Sequence, residues 1–467
     1  MNKTKLYFLI FLCLQLTFLI ILFTSHQPIL VVGILFTLLT GLMIFIEPRL
    51  IFIFITFITF SIPHDIIGSI FVIPILGFNW YMMDWIMLFS FLAWFTRIAS
   101  GNILKMQKSS LIIPICIFLV VLIVSVGVGV HNGYRLQDVL ADFRLFFYYS
   151  SFFIVLIFVR NIKDIEIIFW SMIICGIIGA LPEIFSSISK TSIDIFTGHK
   201  MFFTRITGPQ EINYPLQLVA SIVIFPFIKT VGKKILLIIS SLTSLTALFL
   251  SYTRGSWLAA FAGLVLVVLI FGRFTFYKVK NFLKILSMIL LPISIIIILN
   301  IIGIFNLNIF SERMGLVTSK QIDISSLERL TEWQVGWQVF LANPLLGAGL
   351  GYIYHFHAVG IGDLKQIFIH NSYLYVLSKM GLLGLTSIIF IYVKALISSI
   401  KAMSTLDQSI EMGLLLAFAS MILVLLVKSL TTWHLNTLTT SEYIGVILGI
   451  VGVLPQLIST QLAKIKE

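Results

Sequence analysis

Residues 235–271 read ILLIISSLTSLTALFLSYTRGSWLAAFAGLVLVVLIF and carry a single charge, Arg254. A helix needs about 20 apolar residues to cross roughly 30 Å of hydrocarbon. This stretch is too long for one crossing, and SYTRGSW holds its one charge. It predicts two membrane helices folded back on each other around Arg254. The pattern recurs along the chain, at about 6–23, 28–46, 50–62, 84–96, 111–130, 145–159, 167–187, 215–228, 235–250, 257–271, 285–303, 371–392, 413–430 and 443–459. The 467 residues are 59% hydrophobic and 11% charged, with a mean hydropathy of +1.09. A soluble globular domain carries about 25% charged residues, so that class is excluded. The expected fold is an all-α polytopic membrane protein of about 12–14 transmembrane helices.

No internal repeat or Pro/Ser-rich linker divides the chain. Residues 1–303 hold about eleven of the spans, 304–370 form one large insertion, and 371–467 hold about three. The first apolar run follows Met-Asn-Lys-Thr-Lys with no small-x-small cleavage site after it, so it reads as a retained helix. Cys13, Cys116 and Cys175 all fall inside spans, without ligand or disulfide spacing.

A net charge of +12 would suggest nucleic acid in a soluble domain. Here the basic residues follow the loops, so the positive-inside rule explains the charge and no nucleic-acid partner is expected. Arg49, Arg97, Lys105, Lys108, Arg160, Lys163, Lys229, Lys233, Lys234, Arg273, Lys278, Lys280, Lys284, Lys394 and Lys401 fall in alternate loops, with Lys3, Lys5, Lys464 and Lys466 at the ends. That side is expected to be cytoplasmic, together with both termini. The segment 304–370 and the lesser loops 131–144 and 189–214 then lie outside. Arg205, Arg254, Arg329 and Lys365 fall on that outer side, against the rule, and so need another reason to be there.

Within the insertion, Ser325 and Glu328 have capping-box spacing, and Leu327, Leu330, Trp333, Trp337, Phe340 and Leu341 recur at helical intervals. An amphipathic helix over 326–342 is predicted, lying along the outer membrane surface because tryptophans suit the headgroup layer. Asn343-Pro344 ends it, and Gly347, Gly349 and Gly351 permit a tight approach back to the bundle.

Each candidate residue has an ordinary reading beside a functional one. Arg254 could snorkel from a hairpin tip, yet an arginine at the membrane is by default a functional candidate. Arg205, in TRITGPQEINYP, is ordinary alone; with Arg254 it offers two guanidinium forks able to hold a diphosphate, and Arg329 and Lys365 could join them. His370 stands ahead of Asn371-Ser372 and is either a helix cap or a proton acceptor at a helix N-terminus. His355 and His357 share a face in extended chain, but no third ligand has suitable spacing, so no metal is expected. Glu183, Glu211 and Glu442 sit at span edges, where carboxylates are ordinary but could serve as acid or base, and Lys428, near the outer end of its span, either pairs with one of them or snorkels. No Walker-type loop, nucleotide fingerprint or sugar-nucleotide motif is present, and no cofactor is expected.

SYTRGSWLA, RLTEWQVGWQVFLANPLLGAGLG and HNSYLYVLSKMGLLGL, in this order over about residues 200–390, resemble the O-antigen ligase and O-antigen polymerase superfamily of bacterial membrane glycosyltransferases. The resemblance implies an enzyme of cell-surface polysaccharide biosynthesis in the plasma (inner) membrane, active on its external face. Its implied donor is a glycan on undecaprenyl diphosphate, its acceptor a saccharide or lipid core, and its setting the lipid bilayer. By resemblance Arg205, Arg254 and Arg329 hold the donor diphosphate and His370 takes the acceptor's proton, in an inverting, metal-independent transfer. Glu211, Glu332, Lys365 and Asn371 are supporting candidates. The motifs do not separate polymerase, ligase and protein O-oligosaccharyltransferase, and polymerase is slightly preferred. The rival class is a saccharide transporter without covalent chemistry, which would more naturally show two related halves with broken helices.

Overall fold

The computed structural model describes residues 39–62, 73–75, 78–101, 105–189, 192–193, 200–201, 209–275, 294, 324–358, 362–406, 409–437 and 440–466. Thirteen helices carry the argument. These are α1 (Leu50–Ser61), α2 (Met82–Ala99), α3 (Ile112–His131), α4 (Leu136–Phe147), α5 (Ser151–Phe158), α6 (Ile162–Ser189), α7 (Asn213–Ile224), α8 (Val231–Leu250), α9 (Arg254–Thr275), α10 (Ile324–Ala342), α11 (Ser372–Met403), α12 (Ile410–Lys428) and α13 (Thr440–Lys466). Three two-stranded hairpins sit in the loops: β1 (Ile73–Ile75) with β2 (Phe78–Trp80), β3 (Ser192–Ile193) with β4 (Lys200–Met201), and β5 (Tyr354–Ala358) with β6 (Gly362–Gln366).

Among the described residues nine helices are long and apolar enough to cross a membrane, and α1 and α7 are shorter apolar helices. The protein is an all-α polytopic membrane protein. Each of these helices corresponds to a span read from the sequence. The expected span 6–23, all of 285–303 but residue 294, and most of 28–46 lie outside the described residues. One boundary is corrected: 131–144 is not an open loop, because helix begins at Leu136 and runs through a 3-10 turn into α5. The charges that suggested a loop are paired internally. Arg144 donates to Asp84 at 3.1 Å and to the Asn79 carbonyl at 2.6 Å, and Asp142 is buried.

Helix α12 is apolar all round and buried along nearly its whole length, as an all-apolar helix at a bundle centre must be. It packs on α7, α9, α11 and α13. Polar side chains cross-link the interior: Gln217 on α7 donates to the Ile173 carbonyl of α6 at 3.0 Å and to Ser240 of α8 at 2.9 Å. With no hydrophobic drive between helices in lipid, such bonds and close packing hold the bundle. Helix ends alternate between the two faces of the bundle. One face gathers Arg49, Arg160, Lys163, Lys233 and Lys401, and the opposite face gathers the α8–α9 turn, α10, the β5–β6 hairpin and the start of α11.

Helix α10 covers the predicted 326–342, but its orientation is unusual. Glu332, Gly336 and Phe340 are its buried positions, against α11 and the chain before it, while Leu330, Trp337 and Leu341 are exposed. Beyond Asn343-Pro344 the chain does not stay on the surface. It inserts between α3 and α11, where α11 is broken at Gly381 (φ 65°, ψ −164°). A break in a membrane helix frees backbone groups that no water can satisfy. The turn satisfies them. Ala348 and Gly349 N–H donate to the Ser378 and Lys379 carbonyls at 2.8 and 3.0 Å, and the Leu382 and Leu383 N–H donate to the Pro344 and Leu345 carbonyls at 2.9 and 3.3 Å. Leu350 N–H donates to the Ser125 carbonyl of α3 at 3.1 Å. Gly347 (φ 73°) and Gly381 interlock so closely that a Cβ at either would stand 2.3 Å or 2.2 Å from the other segment's backbone.

Gly381→Ala should therefore lower the thermal aggregation midpoint of the purified protein by several degrees. This region of positive φ with extended ψ is essentially open to glycine alone and costs other residues on the order of 1–3 kcal/mol, and the Leu345 carbonyl blocks the added carbon. Gly232→Ala, which meets nothing within 4 Å in the first turn of α8, is the control and should leave the midpoint unchanged. Equal midpoints for both variants would show that the break does not depend on glycine.

Candidate active site

Helix α11 opens on Asn371, whose side chain accepts the Leu374 N–H at 3.0 Å. Asn371 is thus the cap, and His370 is free of that duty. Glu332 on α10 holds His370 instead. Its carboxylate accepts the His370 backbone N–H at 2.8 Å and meets Nδ1 at 2.8 and 3.0 Å, while Trp333 Nε1 donates to the His370 carbonyl at 3.1 Å. Two consecutive residues of one helix so fix both the backbone and the ring of the histidine. The Glu332 side chain is 4% exposed and that of His370 31% exposed. A carboxylate on Nδ1 places the ring proton there and leaves the Nε2 lone pair available, the arrangement that a proton acceptor requires. Phe368 meets the His370 ring edge-on at 5.5 Å and stacks on Trp433 at 3.9 Å, making an aromatic wall beside it.

The histidine is tied to a second group of charges. Ser372 N–H donates to the Ser429 and Thr432 carbonyls at 2.9 and 3.0 Å, so the start of α11 is bonded to the end of α12. There Lys428, fully buried, donates to Ser256 Oγ at 2.6 Å and stands 3.8 Å from Glu211. Ser256 belongs to the first turn of α9, which opens on Arg254. The α8–α9 turn ahead of it is strained, with Tyr252 at φ 48°, a region costly for residues other than glycine. Trp257 Nε1 closes this turn on the Leu248 carbonyl at 2.7 Å. Glu183 accepts from Tyr214 OH, holding α6 to the start of α7.

The structure thus brings His370, Glu332 and Asn371 together, and connects them through Ser372 to Lys428, Glu211 and the end of α9 that carries Arg254. Arg329 is half-buried one turn before Glu332 on α10. Lys365 is exposed on β6, in register with His355. Arg205 lies outside the described residues. Among the described residues no group of three His, Cys, Asp or Glu side chains is placed to hold a metal.

Two residues of this layer were not singled out from the sequence. Lys379, fully buried one turn after Tyr375, donates to Asp142 at 2.6 Å and to the Ile367 carbonyl at 2.9 Å. Asp142 also accepts Tyr375 OH and the Gly351 N–H, both at 2.7 Å. This pair joins α4, the glycine turn, the end of β6 and α11, three residues ahead of His370. Beside it burial pushes the Tyr354 phenol well above its ordinary range, and its hydroxyl is shared with Ser378 at 2.6 Å. A lone lysine in an apolar run was the available signal for Lys379, while Asp142 read as one charge of the 131–144 loop, and nothing in the sequence says that they meet.

Residues 239–389 match the O-antigen ligase family. The similarity covers about a third of the chain. It runs from α8 to the middle of α11 and includes Arg254, Glu332, the glycine turn and His370. No curated protein matches the chain. The family and the membrane helices together give a membrane glycosyltransferase-like protein of polysaccharide biosynthesis.

Breaking a buried ion pair on one side leaves the other charge uncompensated, at a cost of about 3–5 kcal/mol, whereas apolar replacement of both partners is often tolerated. Asp142→Asn should therefore destabilise the protein more than the double variant Asp142→Leu, Lys379→Met, as read by thermal aggregation in detergent. The reverse order would mean that the pair is not charged as bonded.

Proposed function

We propose that this O-antigen ligase-family protein transfers or polymerises saccharide units carried on undecaprenyl diphosphate, as an inverting glycosyltransferase acting outside the plasma membrane. The observation that carries the reading is the His370–Glu332 pair. A buried carboxylate on Nδ1 presents Nε2 at a partly exposed edge, in a layer that also holds the Arg254 end of α9. The acceptor hydroxyl attacks the anomeric carbon of the donor from the face opposite the leaving group. As the new C–O bond forms, the bond from the anomeric carbon to the diphosphate oxygen breaks and its electron pair leaves with the lipid diphosphate. The hydroxyl proton passes to His370 Nε2, and Glu332 stabilises the resulting imidazolium. Arg254, with Arg205 and Arg329, neutralises the charge growing on the diphosphate. Elongation of a glycan is favoured over transfer to a lipid core. The Lys/Arg-rich face of the bundle is cytoplasmic in this reading, as the positive-inside rule directs.

Reconstituted protein supplied with lipid-linked glycan tests this, with product length read by mass spectrometry. His370→Ala should lower turnover by roughly 10² to 10⁴ while donor binding is retained. His370→Asn should fall equally, because the capping role belongs to Asn371. Arg254→Lys should remain harmful, since an ammonium lacks the planar fork and each charge-assisted contact is worth about 1.5–3 kcal/mol. In spheroplasts a membrane-impermeant acceptor should be elongated. Wild-type turnover in His370→Asn removes the histidine from catalysis, and elongation only of acceptor delivered to the cytoplasm overturns the orientation.

A further inference from the structure

Helix α10 has a buried row and a separate exposed strip. Glu332, Gly336 and Phe340 recur at four-residue spacing and are buried; a Cβ at Gly336 would stand 2.7 Å from Ile369 and 3.1 Å from Leu374, on either side of His370. Leu330, Trp337 and Leu341, at spacings of seven and four, form a strip, shared with Gln334, roughly 120° around the helix from that row and are 51%, 49% and 59% exposed. In a helix that merely capped the bundle, those faces would be exchanged.

The exposed stripe does not end with the helix. It continues into Leu345 (65% exposed) and Leu346, which line a hollow of about 650 Å³ with Val124, Gly127, Val128, His131 and Asn132 of α3 and the residue after it. Helix α3 is a candidate span whose Val120, Ile123 and Val124 are exposed, as lipid-facing residues of a membrane helix are. At 1.5 Å per residue, Val124 lies about 10 Å inside the end of α3 at His131. The far end of α10 therefore reaches hydrocarbon depth, and its outer face prolongs the lipid-facing surface of a spanning helix. A tryptophan flanked by leucines suits the boundary between headgroups and acyl chains.

We propose that α10 docks into the bilayer through Leu330, Trp337 and Leu341, and that this docking seats Glu332 against His370, so that the site is fully assembled only when lipid covers the outer face of α10. The second half of this statement rests on the reading of His370 as the proton acceptor; the first half does not. The mechanics follow from the bonds at hand. Glu332 and Trp333 hold the His370 backbone and ring from α10, so a tilt of α10 away from the bundle displaces the ring and its partner together. Displacement of about 1 Å is enough to cost roughly 10²-fold in a positioned reaction.

The docking half is tested in a cysteine-free background with spin labels at Leu341→Cys and Gln338→Cys in proteoliposomes. The label at 341 should be more accessible to oxygen than to a water-soluble nickel complex, and that at 338 less so. A label at 341 that the nickel complex reaches first overturns docking, whatever the chemistry of the site. The coupling half is tested by turnover in the same vesicles. Leu330→Ser with Leu341→Ser should lower kcat by about tenfold at unchanged donor KM, as a misplaced base does. Ile113→Ser, equally lipid-exposed but at the other end of α3, should leave kcat unchanged. Equal losses in both, or none in either, overturn the coupling. If the double variant lowers kcat while His370→Asn is fully active, the lipid contact acts through something other than this histidine.

Discussion

A helix broken inside a bilayer exposes backbone groups that lipid cannot satisfy, and the arrangement of this protein follows from how one such break is closed. Helix α11 departs from helical geometry at Gly381, and the turn after α10 supplies both the donors and the acceptors that the break lacks. The reciprocity fixes more than the break. With Pro344 to Gly349 bonded to α11 and Leu350 bonded to α3, α10 must run back along the start of α11. That places Glu332 beside His370.

Charge is distributed to reinforce the same geometry. The Asp142–Lys379 pair draws together α4, the glycine turn, the residue after β6 and α11, through three bonds accepted by Asp142 and two donated by Lys379. A buried pair of this kind contributes little net stability but strongly penalises any arrangement that separates it. Glu332 spends its carboxylate on one residue's backbone and ring, which orients a histidine more sharply than a single contact. The Lys428–Ser256–Glu211 group ties the ends of α12 and α9 to the same layer. Lys428, Arg254 and the Glu332–His370 pair thus share one face of a bundle whose other face carries most of the loop lysines and arginines.

The helices were legible because hydropathy reports burial in lipid directly. Span ends fell near those read from 84–96, 111–130 and 413–430, and Asn343-Pro344 stopped α10 where expected. Arg254 marked a hairpin tip because no other charge lies between 235 and 271. The break at Gly381 was not legible: KMGLLGL reads as a helix interior, where one glycine is normally tolerated. Its partner turn lies more than thirty residues upstream, beyond any local pattern. The helical character of 136–144 was missed for a related reason, since Asp142 reads as a loop charge until Lys379 is placed against it, 237 residues away. Glu332 was read as a supporting candidate without a partner, and its bond to His370 depends on the turn that returns α10 to the bundle.

The central claim is that Glu332 holds the His370 ring with its proton on Nδ1 and a free lone pair on Nε2. Solid-state nitrogen NMR of histidine-labelled protein in bilayers at mildly alkaline pH reads this directly, with the His370 signal assigned by its loss in His370→Asn. The account predicts a neutral ring protonated at Nδ1, and loss of that preference in Glu332→Ala. A ring protonated at Nε2, or one indifferent to Glu332→Ala, would contradict it.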